Sequence, residues 1–74
     1  MYRVTRKQLI RQNGNVIEFE DSCEFENFDT ADLLRHRLLI NEVQVGYRLE
    51  CYGKVIFESP TFYRSVTVTI EEVS

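Results

Sequence analysis

YRVTRKQLIRQNGNVIEFEDSCEF, residues 2–25, holds the strongest local signal of the chain at its centre, Asn13-Gly14. This dipeptide favours the positive φ angles of a type I′ hairpin turn. With Asn13 and Gly14 as the loop, Gln12 faces Asn15 and Arg11 faces Val16. On one side of the ribbon lie Ile10 with Ile17, Gln8 with Phe19, Arg6 with Asp21, Val4 with Cys23, and Tyr2 with Phe25. On the other lie Leu9 with Glu18, Lys7 with Glu20, Thr5 with Ser22, and Arg3 with Glu24. One turn choice therefore sorts apolar residues to one face and sets bases opposite acids. Arg6 opposite Asp21 is the exception on the apolar face. It requires a bulge, or a part of the sheet that the helix leaves uncovered.

Downstream, Phe28-Asp29-Thr30-Ala31-Asp32 reads as a helix start. Asp29 or Thr30 can cap it, and acids in the first turn suit the helix dipole. The spacing predicts a helix from about Thr30 to Ile40, with Ala31, Leu34 and Leu38 on one stripe, widened by Leu33 or Leu39. Arg35 and Arg37 point away from that stripe. A helix this short must pack on a sheet to persist.

The remainder alternates with period two. Val43, Val45, Tyr47, Leu49 and Cys51 form one row, and Gly46 inside it suggests a bulge. Gly53 marks a turn. A loop of Tyr52, Gly53 and Lys54 places Cys51 opposite Val55 and Leu49 opposite Phe57, which keeps one face apolar. Pro60 breaks the ladder or sits at an edge. Phe62, Arg64, Val66, Val68 and Ile70 then alternate with Tyr63, Ser65, Thr67 and Thr69 as a last strand. The expected fold is α+β in ββαβββ order: an antiparallel sheet of four to five strands with one helix on one face, in a single domain spanning residues 1–74.

Size sets limits on chemistry. Seventy-four residues weigh 8.8 kDa. Folding hides roughly 8,000 Å², and at about 25 cal/mol per apolar Å² this roughly balances about 1.5 kcal/mol per ordered residue. The core is thin, and a doubly wound nucleotide fold or an eight-fold βα barrel is excluded. Hydrophobic residues make up 43% and charged residues 28%, a globular composition. No apolar run approaches a membrane span and no charged-then-apolar leader opens the sequence, so a cytoplasmic location is expected, with no membrane partner. Two cysteines without CxxC spacing fit a reducing compartment.

Candidates for catalysis are sparse. His36 is the single histidine. Cys23 and Cys51 are thiols by type, but both fall on faces expected to be buried, where a thiol stays inert. Three soft ligands far apart in sequence do not make a zinc site, and no glycine-rich phosphate loop exists. No enzyme activity, metal or cofactor is expected.

Charge is more informative. Twelve acids against nine bases give −3, which disfavours nucleic acid and anionic membranes as partners. Arg3, Arg6, Lys7 and Arg11 open the chain, whereas Gln12 to Leu34 holds seven acids and no base. Pairing between the first two strands explains much of this asymmetry. Acids left over gather where the second strand hands over to the helix. Glu20, Glu24, Glu26, Asp29 and Asp32 are the candidate contact residues for a protein partner, a basic one, as a rank of carboxylates can occupy a groove made for phosphates. The function expected is a small non-enzymatic interaction protein, an inhibitor or adaptor of a nucleic-acid-handling partner. A homodimer through an open sheet edge, that of Phe62–Ile70, is a further expectation, with Leu9 and Val16 as a small outer apolar patch. The alternative is a single-stranded nucleic-acid binder using Arg48, Tyr52, Lys54, Tyr63 and Arg64. In size and layout the chain resembles the small α+β proteins of phages and mobile elements, some of which inhibit host defence systems.

Overall fold

The computed structural model describes residues 1–73. Asn13 and Gly14 both take positive φ, 52° and 82°, and close the first hairpin. Strand β1 (Tyr2–Gln12) runs antiparallel to β2 (Asn15–Phe25) in the expected register, from Tyr2 opposite Phe25 to Gln12 opposite Asn15. Helix α1 (Phe28–Gln44) follows, then β3 (Arg48–Cys51), β4 (Lys54–Ser59) and β5 (Phe62–Glu72). The five strands form one antiparallel sheet in the order β2-β1-β5-β4-β3, with α1 packed across one face. The fold is α+β, as expected.

The apolar face of β1 continues across the sheet. Val4 lies opposite Cys23 on one side and Ile70 on the other, while Val66 and Val68 of β5 align with Val55 of β4 and Arg6 of β1. Under α1 these residues form the core: Val4, Val55, Val66 and Val68 from the sheet, Ala31 and Leu39 from the helix. Leu34 and Leu38 are half-buried beside them, and Leu33 faces solvent. The row that β5 contributes requires a strand on each flank, and so β5 is central. The Phe62–Ile70 segment is not an edge and cannot supply the expected dimer contact. The open edges are β2 and β3.

Both helix ends differ from the sequence reading. The N-cap is Asn27, in an extended conformation, and its Oδ1 accepts from the backbone N–H of Asp29 at 2.7 Å and of Thr30 at 3.4 Å. Asp29 sits inside the first turn instead of capping it. At the other end nothing breaks the helix at Ile40. It runs on to Gln44, so Val43 belongs to the helix and Val45 is its C-cap. Gly46, at φ 105°, is the residue that stops it. Gly46 N–H donates to Val43 O and Tyr47 N–H to Glu42 O, the two bonds of a Schellman motif. Gly46 is thus a helix terminator, not a strand bulge.

The β3–β4 turn is also tighter than expected. Cys51 lies opposite Lys54 across Tyr52 and Gly53, the latter at φ 96°. A bulge between Leu49 and Cys51 then sets Leu49 opposite Val55. The bulge, not a three-residue loop, keeps the apolar rows aligned. Cys23 and Cys51 are exposed, contrary to expectation, because each lies in an edge strand. Arg6 and Asp21 need no bulge. They form a two-pronged ion pair, 3.0 and 3.1 Å, beside the helix where Asp21 stays open to water. Among the described residues no helix is long and apolar enough to cross a membrane.

Candidate functional site

Every residue of β2 from Asn15 to Glu24 is exposed, and among the described residues no strand covers its outer edge. The reason is topological. The helix packs most closely on β5 and β1 and only lightly on β2. The strand is regular along its length, paired with β1 residue for residue, and carries no proline.

The candidate acids fall into three places. Glu20 and Glu24 share the outer face of β2, the face away from α1, with Glu18 between Glu20 and the turn. Glu24 is held by Arg3 at 3.0 Å, and Arg3 also reaches Glu71 at 3.2 Å. Glu18 and Glu20 make no ion pair among the described residues. Glu26 and Asp29 are exposed where β2 hands over to α1. Asp32 stands apart. Its carboxylate accepts from Arg35 at 2.6 Å, and the Tyr52 hydroxyl lies 3.4 Å away. Arg35, off the apolar stripe as expected, turns toward the β3–β4 turn. Its guanidinium lies 4.5 Å over the Tyr52 ring and donates to the Tyr52 hydroxyl at 2.9 Å. Asp32 thereby ties the helix to the β3–β4 turn. Glu18 joins the candidate acids, and its signal lies in the sequence: the residue opposite it is Leu9, so no base neutralises it across the ribbon.

The residues of the nucleic-acid alternative are dispersed. Arg48, Lys54 and Tyr63 lie on the outer face, Tyr52 in a turn, and Arg64 on the helix side of the sheet. Most are engaged within the fold. Lys54 pairs with Glu50 at 3.2 Å, and that bond holds its ammonium above the ordinary value. Arg11 stacks over Tyr63 at 4.7 Å. Arg64 donates to Glu42 at 2.9 Å, to Tyr47 at 2.8 Å and to Gln8 at 2.6 Å. Burial works against the Arg64 charge, but the bonds to Tyr47 and Glu42 outweigh it and hold its pKa above the ordinary arginine value.

His36 is exposed on the helix, and the two thiols sit on opposite edges of the sheet. Among the described residues no three His, Cys, Asp or Glu side chains converge as a metal site. What the molecule offers is an edge: an open strand with carboxylates on one face and apolar side chains, Ile17 and Phe19, on the other. Comparison with protein-family models, curated proteins and solved structures finds no match to this chain.

Proposed function

We propose that this chain is a non-enzymatic protein-interaction module that docks on a basic surface of a nucleic-acid-handling protein, as an inhibitor or adaptor. The observation that carries the reading is the open edge of β2, exposed from Asn15 to Glu24, with Glu18 and Glu20 in no ion pair among the described residues. Carboxylates fixed on a strand at two-residue spacing stand about 7 Å apart and form a rigid row of negative charge. Fixed charges of this kind steer a basic partner and reject acidic ones. Glu26 and Asp29 extend the same acidic border toward the helix.

The test is capture on the immobilised protein, comparing wild type with Glu18→Lys/Glu20→Lys. The expected result is retention of a basic protein that salt elutes and the reversed variant does not hold. Equal retention by the variant removes the reading. Retention of nucleic acid alone, lost on Arg48→Ala or Tyr52→Ala, replaces it with the nucleic-acid alternative.

A further inference from the structure

We infer that the partner contributes an extended segment which adds to the free edge of β2 as a sixth strand, with Lys or Arg alternating with apolar residues. This rests on the protein-binding reading above and specifies how the contact is made.

The first argument is the backbone. In a two-residue hairpin the residues flanking the loop exchange hydrogen bonds, and bonded pairs then recur at every second position. Gln12 and Asn15 flank this loop. Asn15, Ile17, Phe19, Asp21, Cys23 and Phe25 therefore direct their N–H and C=O groups to β1. Val16, Glu18, Glu20, Ser22 and Glu24 direct theirs outward, to the edge that no strand covers. Open edges are ordinarily guarded by lysine, proline, bulges or shortness. Strand β2 has none of these over its 11 residues; its only guard is acidic charge, Glu18, Glu20, Glu24 and the inward Asp21, which a basic strand would neutralise.

The second argument is the side chains. The outward-bonding residues include Glu18, Glu20 and Glu24, all on the outer face. In an added strand the residue opposite each of them lies about 5 Å away. Bases there are complementary. On the other face Ile17 and Phe19 are 49% and 53% exposed, beside half-buried Ile10, and would be covered by apolar residues of the added strand. The chain already shows what such a strand looks like. Strand β1 sets Arg3, Lys7 and Arg11 on the outer face and Tyr2, Val4 and Ile10 on the inner one. Strand β2 lies between one basic strand and an empty place for another.

The same arithmetic disfavours a second copy. Strand β2 carries Glu18, Glu20, Asp21 and Glu24 and no base, so two β2 strands paired edge to edge leave these acids unneutralised and bring some together, as Glu20 against Glu20 or Glu18 against Glu24. The other free edge, β3, has only 4 residues and carries Glu50.

The experiment titrates the whole protein with a capped peptide of about nine residues in which Lys alternates with Val, a length that spans the open edge. Amide NMR and calorimetry are the readouts. The expected result is slowed hydrogen exchange at Val16, Glu18, Glu20, Ser22 and Glu24. Binding should weaken about tenfold or more when the peptide is N-methylated at alternate amides, and to the same degree with Ser22→Pro. Ser22 donates outward, so proline there removes a donor that the fold does not use. If Ser22→Pro does not fold, the N-methylated peptide still decides the matter. Equal binding of the parent and N-methylated peptides, with loss on Glu18→Lys/Glu20→Lys, overturns strand addition and leaves acidic docking standing. Binding that survives the charge reversal overturns both. Concentration-dependent protection of the same amides without peptide gives the edge to a second copy and also overturns the inference.

Discussion

Arg64 sits on the sheet face that the helix covers, where a charge persists only if it is paired. Its side chain is 21% exposed and that of Glu42 is 22% exposed. The guanidinium spreads its donors over Glu42, Tyr47 and Gln8, which come from three different elements or loops. It also lies 5.3 Å over the Tyr47 ring. Removing it strands a half-buried carboxylate at the end of the helix. Arg64→Ala should lower stability by about 1–3 kcal/mol, the cost of an unpaired polar group partly shielded from water. Urea denaturation measures this, and the double variant with Glu42→Gln should recover part of the loss. A loss under about 0.5 kcal/mol would assign Arg64 to the ordinary surface. The inward position of Arg64 was legible from the alternation Phe62, Arg64, Val66. Its partner was not, because ending the helix at Ile40 leaves Glu42 in a loop. An arginine without a visible partner then reads as a free cation and is drawn into a binding set.

The elements differ in how much of them local chemistry determines. Both strands of the first hairpin share one turn, and Asn13-Gly14 admits few backbone conformations, so every pair follows from one choice. The acidic outer face of β2 follows too, including Glu18 opposite Leu9. The helix depends on competing local signals. Asn27, Asp29 and Thr30 are all able to cap, and the chain uses the one whose carbonyl oxygen reaches two N–H groups. At its far end Val43, Val45 and Tyr47 satisfy a two-residue period by accident, while the Schellman bonds at Gly46 and Tyr47 decide for the helix. The bulge before Cys51 answers to the sheet as a whole, since it aligns Leu49 with Val55, and no local residue announces it. The cap gives a direct check. Asn27→Ala leaves the Asp29 and Thr30 N–H groups to water and should cost about 1 kcal/mol. Because α1 supplies Ala31 and Leu39 to the core, the loss should appear in the global thermal transition and not as fraying alone. A melting temperature equal to wild type would mean that the first turn is held by packing of Phe28 on Tyr2, whose rings meet edge to face at 5.4 Å.

As a whole the molecule is a plate, 41 × 23 × 15 Å, with a radius of gyration of 13.3 Å. A compact chain of this length has a radius of about 11 Å. Its accessible surface is 5215 Å², whereas a monomer of its mass exposes roughly 4,800 Å². The excess follows from one sheet carrying one helix, which leaves β2 outside the shelter. A plate with an open, regular edge strand should stack or polymerise through it. Charge is what opposes this. Like charges placed opposite one another across a ladder are destabilising, and no self-pairing of β2 offers Glu18, Glu20, Asp21 or Glu24 a base. The acids on this edge thus have two effects from one arrangement: they repel a second copy and attract a basic strand. Neutralising them separates the two. Wild type should sediment as an 8.8 kDa monomer at neutral pH and low salt. Glu18→Gln/Glu20→Gln keeps the shape of both side chains while removing two charges. It should self-associate with rising concentration in sedimentation velocity at neutral pH. A variant that stays monomeric under these conditions would show that the edge is closed by something other than charge, and would remove the electrostatic basis for a basic partner strand as well.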